Sequence, residues 1–532
     1  MAKILITEQF GEDALNLLKE NGLEVTYMVN PSEEEIIKCL GNFDALIVRS
    51  RTKVNEKVIK AGKNLKVIGR AGVGVDNIDV PAATKQGIIV MNAPDANTIS
   101  TAELAMTLIM ALSRNIYQAV SSLRSRKWEK SKLSGTELYG KTLGIIGLGR
   151  IGSAVAVRAA AFGMEVIAYD PFVSVEKAKK LSVKLVSLDE LLGQADYITL
   201  HLSLTKETHH LIGADAFAKM KTGVRIINCS RGGIIDEDAL YKAIKEKKVA
   251  GCALDVFEKE PSVDSPLLEL DELIATPHLG ASTHEAQTNV SLQIARQVKK
   301  VLKDNVVENA VNFPYVEPSI LQEIQPYITL AEKLGCFQSH MIDGNIERLN
   351  ILYGGETAEY PSQPITLSLL KGLLEPTVPG SVNYVNSMFI AQERGIKITE
   401  TKSRDVEDFA NLIKIEVHTT KGASSVAGTL FSKKDPRIIR IGDYHVDASP
   451  NGYLLLCENY DKPGAVAHIS AVLTEAGINI ADMTVGRKEA GGKAVILLNI
   501  DSALSPETLN KIKSNPVIIQ ARLLFMGSTL DT

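Results

Sequence analysis

Twelve residues, Thr142-Leu-Gly-Ile-Ile-Gly-Leu-Gly-Arg-Ile-Gly-Ser153, constrain this chain more than any other stretch. They set Gly147-x-Gly149-x-x-Gly152 between an apolar run (Leu143, Ile145, Ile146) and an Ala/Val-rich helical stretch that reaches Phe162. A second strand-like run, 165–169, then delivers Asp170, 18 residues beyond Gly152. Gly147 permits a tight strand-to-helix turn, Gly149 lets a pyrophosphate approach the backbone, and Gly152 lets helix and strand pack closely. The helix start then faces the phosphates with unpaired N–H groups. A carboxylate at Asp170 can accept both ribose hydroxyls and repel a 2′-phosphate, which favours NAD over NADP. Gly-x-Gly-x-x-Gly alone is a common glycine turn. Strand, helix, second strand and terminal acid together predict a dinucleotide site.

At 532 residues the chain has room for three or four domains, and 45 % hydrophobic with 23 % charged residues gives ample core. A net charge of −4 with dispersed signs leads us to expect neither nucleic acid nor an anionic membrane as partner. The five cysteines, Cys39, Cys229, Cys252, Cys336 and Cys457, are far apart and form no Cys-x-x-Cys. Neither a metal centre nor a disulfide framework is expected, and a reducing cytoplasm fits. The start, Met-Ala-Lys-Ile-Leu-Ile-Thr, reads as a first strand rather than a targeting segment, and the apolar helix around 104–112 is too short to span a bilayer.

Before the fingerprint, residues 3–7, 45–48, 66–69 and 88–91 read as extended, with helical patterns at 13–21 and 56–61. After it, extended runs recur at 197–202, 224–228 and 252–256, and Ser187-Leu-Asp-Glu190 is a capping box. Such alternation predicts doubly wound parallel sheets, hence two Rossmann-like α/β lobes. Gly72-Val-Gly74-Val-Asp76 looks like a second nucleotide turn but lacks the third glycine and the strand-borne acid, so it reads as a substrate-facing loop. Val311-Asn-Phe-Pro-Tyr-Val-Glu-Pro318 reads as a domain boundary. Beyond it lies an α+β region, 317–450, with a helix at 321–334 and a strand at 346–353 but no phosphate loop. Residues 452–532 read strand, helix, strand, strand, helix, strand, a ferredoxin-like βαββαβ module.

Three segments, each at or just past an expected strand, carry side chains suited to chemistry: Asn228-Cys-Ser-Arg231, Ala253-Leu-Asp255-Val-Phe-Glu258-Lys-Glu260, and Thr276-Pro-His278-Leu-Gly-Ala281. Hydride transfer between a 2-hydroxy acid and NAD needs a base for the hydroxyl proton, a carboxylate to hold that base, and a fixed cation for the substrate carboxylate. His278, Glu260 and Arg231 are the matching types. Alone, each reads equally well as a surface residue.

Taken together, Gly-Leu-Gly-Arg-Ile-Gly, Ser-Arg-Gly-Gly-Ile-Ile-Asp-Glu, Ala-Leu-Asp-Val-Phe-Glu-Lys-Glu-Pro and Pro-His-Leu-Gly-Ala-Ser-Thr resemble the D-isomer-specific 2-hydroxyacid dehydrogenases. Val48-Arg-Ser50 and Gly69-Arg-Ala-Gly-Val-Gly-Val-Asp-Asn77 narrow the likeness to the branch of that family that oxidises 3-phospho-D-glycerate to 3-phosphohydroxypyruvate, at the start of phosphorylated serine biosynthesis. The likeness covers the whole chain. It implies a substrate lobe of residues 1–97 and 285–312, an NAD lobe at 98–284, an intervening domain and a C-terminal ACT domain. His278 is then the acid/base, Glu260 its orienting partner and Arg231 the carboxylate clamp. Gly147, Gly149, Arg150, Ile151 and Gly152 would meet the pyrophosphate, and Asp170 the ribose. Val73, Leu202, Cys229, Ser230, Arg231, Asp255, His278, Leu279, Gly280 and Ala281 would complete the cofactor pocket. Val73 stands where some relatives have Thr, so only backbone contact remains there. Arg49 and Arg70, with Gly72 and Val73, would take the substrate and its phosphate. Arg51 is a further candidate, and Lys130 and Lys132 would reach a neighbouring subunit. Asn459, Asp461 and Asn479 match positions at which paired ACT domains hold L-serine. A cytoplasmic homo-oligomer, dimer or tetramer, is implied. The alternatives are another dehydrogenase of the family, such as a glyoxylate/hydroxypyruvate reductase, and an NAD-sensing corepressor-like scaffold.

Overall fold

The computed structural model describes residues 1–378, 382–406 and 409–527. Four sheets organise them. The first is all parallel, in the order Glu24–Tyr27, Lys3–Ile6, Ala45–Val48, Val67–Arg70, Ile89–Met91. Its winding reverses between Lys3–Ile6 and Ala45–Val48. The edge strand Glu24–Tyr27 is half-exposed, and its mixed Glu-Val-Thr-Tyr composition hides it from an apolar-run reading. Helix His284–Asp304 starts at a Thr283 hydroxyl that accepts from the Ala286 N–H, and lays Val290, Ile294, Val298 and Val301 against Ile4, Ile6 and Leu18. That spacing is one helix face, so the chain returns to the first sheet after leaving it.

The second sheet is also parallel, in the order Leu273–Ala275, Val249–Leu254, Val224–Asn228, Tyr197–Leu200, Thr142–Ile146, Glu165–Tyr169, Lys184–Leu185. Helices cover both faces, and its central strands are accordingly almost wholly apolar and buried. Here the reversal lies between Thr142–Ile146 and Tyr197–Leu200. In both sheets the crevice beyond the carboxyl ends of the strands at such a reversal is where ligands bind.

The third sheet, in the order Lys397–Ser403, Ile346–Gly355, Asn411–Thr419, Gly422–Phe431, Asp435–Ile441, Tyr444–Ala448, is antiparallel except for its first pair, and helices Pro318–Met341 and Ser362–Leu374 share its core. The fourth, Ile480–Arg487, Lys493–Ile500, Tyr453–Tyr460, Ile518–Phe525, is antiparallel, with helices Ala465–Glu475 and Pro506–Lys513 giving the βαββαβ order. Pro463 lies outside the first of these helices, which is entered through Gly464 at φ 100°. Both faces of the two central strands of the fourth sheet are buried. Leu455, Cys457, Ile496 and Leu498 face its own helices, while Leu454, Leu456, Val495 and Leu497 join the core of the third domain. Residues 379–381 and 407–408 of the expected intervening region and 528–532 of the expected C-terminal module lie outside the described residues. Contacts also tie the third domain to the first lobe: Lys85 pairs with Glu393 at 2.5 Å, and Asn383 Nδ2 donates to the Gly87 carbonyl at 2.8 Å. Among the described residues no helix is long and apolar enough to cross a membrane.

Candidate active site

The chemistry-bearing residues leave the carboxyl ends of adjacent strands of the second sheet. At the fingerprint, Gly147 takes φ 95°, a left-handed value that favours glycine, and a Cβ there would lie 2.5 Å from the His201 carbonyl. Helix Arg150–Ala161 starts directly after Gly149, where a Cβ would meet nothing within 4 Å. Bare N–H groups therefore face open space, the cradle a pyrophosphate requires. The half-buried Asp170 accepts from the N–H groups of Leu148 at 2.8 Å and Phe172 at 2.9 Å. It thus braces the glycine turn, and its remaining lone pairs can still take ribose hydroxyls. The Arg150 side chain pairs with Asp95 at 2.6 Å, while Ile151 packs on the lobe's core. Leu202 is half-buried beside the same turn, and Cys229 is buried, its thiol pushed far up by burial.

Asp255, fully buried, controls the loop that carries His278. It accepts from the Thr276 hydroxyl at 2.6 Å and from the N–H groups of Leu279 at 2.7 Å and Gly280 at 2.8 Å. The Gly280 carbonyl accepts in turn from the hydroxyls of Ser100 and Thr101. Ala281 completes this loop, half-buried. Bound this way, His278 adopts φ 57°, a backbone state that needs support from its surroundings. Its Nδ1 lies 2.8 Å from Glu260 Oε2. Burial alone would raise the Glu260 carboxyl. The hydrogen bond and charge of His278, the Phe257 N–H and the Arg231 charge outweigh it and hold that pKa below the ordinary carboxylate value. A carboxylate can only accept, so Nδ1 carries a proton, and in the neutral imidazole Nε2 offers the lone pair.

Arg231 is positioned by Asn228, whose amide holds the Arg231 carbonyl at 2.8 Å and the Ser230 N–H and hydroxyl at 3.0 and 2.8 Å. Its Nε reaches across to Asp76 of the first lobe at 3.1 Å. A Cβ on Gly74 would lie 2.0 Å from Arg231 Nη2, so that glycine makes the crossing possible. The Gly72–Asp76 loop therefore faces the cleft, and the Val73 carbonyl accepts from Asn92 Nδ2 at 2.5 Å. The Arg70 guanidinium lies over Gly72, with its Nε buried and unpartnered. Burial first, then the charges of Arg231 and Arg49, pull its pKa down to about 10 against the offsetting charges of Asp76 and Glu8. Arg49, half-exposed, donates Nη1 to the Gln9 carbonyl at 3.3 Å, and Arg51 is exposed nearby.

The structure thus gathers Arg231, Glu260 and His278 on one side of a cleft and Arg49, Arg70, Gly72 and Val73 on the other. Lys130 and Lys132 lie apart on an exposed single turn, where Lys132 pairs with Glu129 at 2.9 Å. In the fourth-sheet module, Asn459 is buried with Oδ1 unpartnered, Asp461 accepts from Arg487 Nη1 at 2.9 Å and from the Gly491 N–H at 3.1 Å, and Asn479 donates to Asp501 at 3.0 Å. Sequence reading missed Asp76, Thr276, Thr101 and Glu8. It also missed His201, half-buried, with its enclosed Nδ1 unpartnered and Nε2 3.0 Å from the Thr199 hydroxyl, whose pKa desolvation lowers to about 4.

Comparison with known proteins gives this architecture its place. Residues 106–280 match the model of the D-isomer specific 2-hydroxyacid dehydrogenase NAD binding domain, 323–442 that of the D-3-phosphoglycerate dehydrogenase intervening domain, and 453–517 that of the ACT domain. The cleft and its cofactor lobe are those of an NAD-dependent 2-hydroxyacid dehydrogenase. The chain is 47 % identical to the D-3-phosphoglycerate dehydrogenase of Methanocaldococcus jannaschii over 97 % of its length and 98 % of that protein's. It is 46 % identical to that of Archaeoglobus fulgidus over 98 % and 99 %. It belongs to the D-3-phosphoglycerate dehydrogenase family. Among solved structures, the NAD⁺-bound 3-phosphoglycerate dehydrogenase of Entamoeba histolytica overlays 59 % of this chain and 99 % of its own, with 32 % identity and a TM-score of 0.50.

Proposed function

We propose that this chain oxidises 3-phospho-D-glycerate to 3-phosphohydroxypyruvate with NAD⁺, at the entry to phosphorylated serine biosynthesis. The observation that carries the reading is the His278–Glu260 pair at 2.8 Å, with Arg231 alongside and Arg49 and Arg70 across the cleft. Bound at the fingerprint, NAD⁺ supplies a hydride acceptor. His278 Nε2 takes the proton of the C2 hydroxyl, and Glu260 holds the ring and stabilises the imidazolium that results. Arg231 clamps the substrate carboxylate, while Arg49 and Arg70, with Gly72 and Val73 shaping the wall, take the phosphate dianion. Asp255, held by its own loop, would favour the oxidised nicotinamide through its charge. Asp170 directs the choice toward NAD.

The division of labour in this reading is a substrate lobe of residues 1–97 with 285–312, a cofactor lobe of 98–284, an intervening domain of 317–450 and a regulatory module from 452. Its setting is a cytoplasmic assembly of copies of this chain. The exposed apolar side chains Ile116, Tyr117, Val120, Leu123 and Trp128 favour self-association, which light scattering measures. L-serine is the effector in this reading, held by Asn459, Asp461 and Asn479. Titrating serine into the full chain, wild type and Asn479→Ala, tests it: saturable heat and inhibition in the first, neither in the second. The main assay is NADH formation from 3-phosphoglycerate with product removal, set against unphosphorylated 2-hydroxy acids. Equal kcat/KM on both sets would discard the phosphorylated substrate in favour of a general hydroxyacid dehydrogenase.

A further inference from the structure

Glu8 is 6 % exposed and sits just past the strand Lys3–Ile6, beneath the loop that follows Ala45–Val48. Those two strands flank the reversal in the first sheet. Glu8 Oε1 accepts from the N–H groups of Arg49 and Thr52, both at 2.9 Å, and Oε2 accepts from the Arg51 N–H at 3.2 Å. From another side, Asn77 Nδ2 donates to the carbonyls of Arg49 and Thr52 at 2.7 Å each. The Thr7 and Thr52 hydroxyls meet at 2.9 Å. Converging N–H groups make an anion-binding concavity. Here the chain fills that concavity with its own carboxylate, so the loop backbone is committed and only side chains remain to meet a ligand. Three arginines crowd the same region, and Glu8 is one of the two acids whose charge acts on Arg70.

We propose that Glu8 is a positioning residue for recognition of the substrate's phosphate: it fixes the backbone from which Arg49 and Arg51 project, and offsets the mutual repulsion of Arg49, Arg70 and Arg231. This rests on the reading of Arg49 and Arg70 as the phosphate clamp. Glu8→Gln keeps an acceptor for Arg49 and Thr52, turns a donor toward the Arg51 N–H and removes the charge. In the reductive direction, KM for 3-phosphohydroxypyruvate should rise about ten-fold or more, as expected for hydrogen bonds to a charged group. KM for hydroxypyruvate and kcat on both should stay within about two-fold. Equal rises in both KM values, or none, overturn the proposal. Arg49→Ala is measured beside it. If Arg49→Ala has no selective effect, the phosphate clamp itself is misassigned; if it has one and Glu8→Gln does not, Glu8 is no more than structural. The double variant should be less than additive for the phosphorylated substrate, since the two act through one loop. Should Glu8→Gln fail to fold, Asn77→Ala loosens the same loop from its other side and carries the same expectation.

Discussion

The two lobes are wound alike yet use the same place in the sheet in opposite ways. Where the cofactor lobe reverses, helix Arg150–Ala161 presents bare N–H groups to the open space over Gly149. Where the substrate lobe reverses, the N–H groups of the loop beyond Ala45–Val48 are closed off by Glu8, and arginine side chains stand in front of them. Backbone recognition suits a pyrophosphate common to every dinucleotide, because no single substitution re-tunes it. Side-chain recognition suits a group that distinguishes one substrate from its neighbours. The acid/base pair belongs to neither device: its histidine is delivered by a loop of the cofactor lobe that Asp255 holds in place.

That separation can be broken experimentally. The largest effect should come from His278→Ala, which removes the base and leaves both recognition devices intact. We expect kcat to fall by about two to four orders of magnitude, with NADH binding by fluorescence titration unchanged. Normal turnover in that variant would take His278 out of the mechanism. Next, Gly149→Val places a side chain in the space over the fingerprint. NADH affinity should fall roughly 100-fold, about 3 kcal/mol, while the arginines across the cleft are untouched. Arg49→Ala or Arg70→Ala should do the converse, raising KM for the phosphorylated keto acid about ten-fold or more with little change for hydroxypyruvate. A matching loss on both substrates would mean that the arginines support the fold rather than select the substrate.

Smaller shifts sharpen the picture of the cofactor lobe. Asp170→Ser should raise NADP use relative to NAD about ten-fold, and because Asp170 also braces Leu148 and Phe172, NAD affinity should drop as well. A purely ribose-contacting acid would spare the turn. His201 gives a stability prediction. Its folded pKa of about 4 lies below the ordinary value of 6.5, so the unfolded chain binds the proton first as pH falls. The cost therefore grows below pH 6.5 and levels off near 4. By pH 5 it amounts to at most about 2 kcal/mol. His201→Gln should flatten the loss of thermal stability between pH 7 and 5, and an unchanged slope would assign acid sensitivity elsewhere.

The fingerprint was legible because its glycines encode a local backbone path, and residues 142–170 carry every part of it. His278, Glu260 and Arg231 were legible as residue types at the ends of apolar runs, and their meeting followed from parallel strands. Glu8 and Asp76 were not. Each acts on a partner 41 or more residues away, through backbone N–H groups or a single ion pair that leaves no periodic trace. Thr276 was passed over because a hydroxyl bonded to a buried acid looks like any loop threonine. The edge strand Glu24–Tyr27 and the six-residue helix Val80–Lys85 are too short for hydrophobic period to register.

The ties Lys85–Glu393 and Asn383–Gly87 have a mechanical consequence. They fasten the third domain to the substrate lobe, and the third domain shares its core with the C-terminal sheet. With the lobe boundaries proposed above, a hinge at the 97–98 and 284–285 crossings would turn the cofactor lobe against all the rest as one body. A ligand gripping the far end of that body would have a long lever, acting across the ion pairs Asp76–Arg231 and Asp95–Arg150.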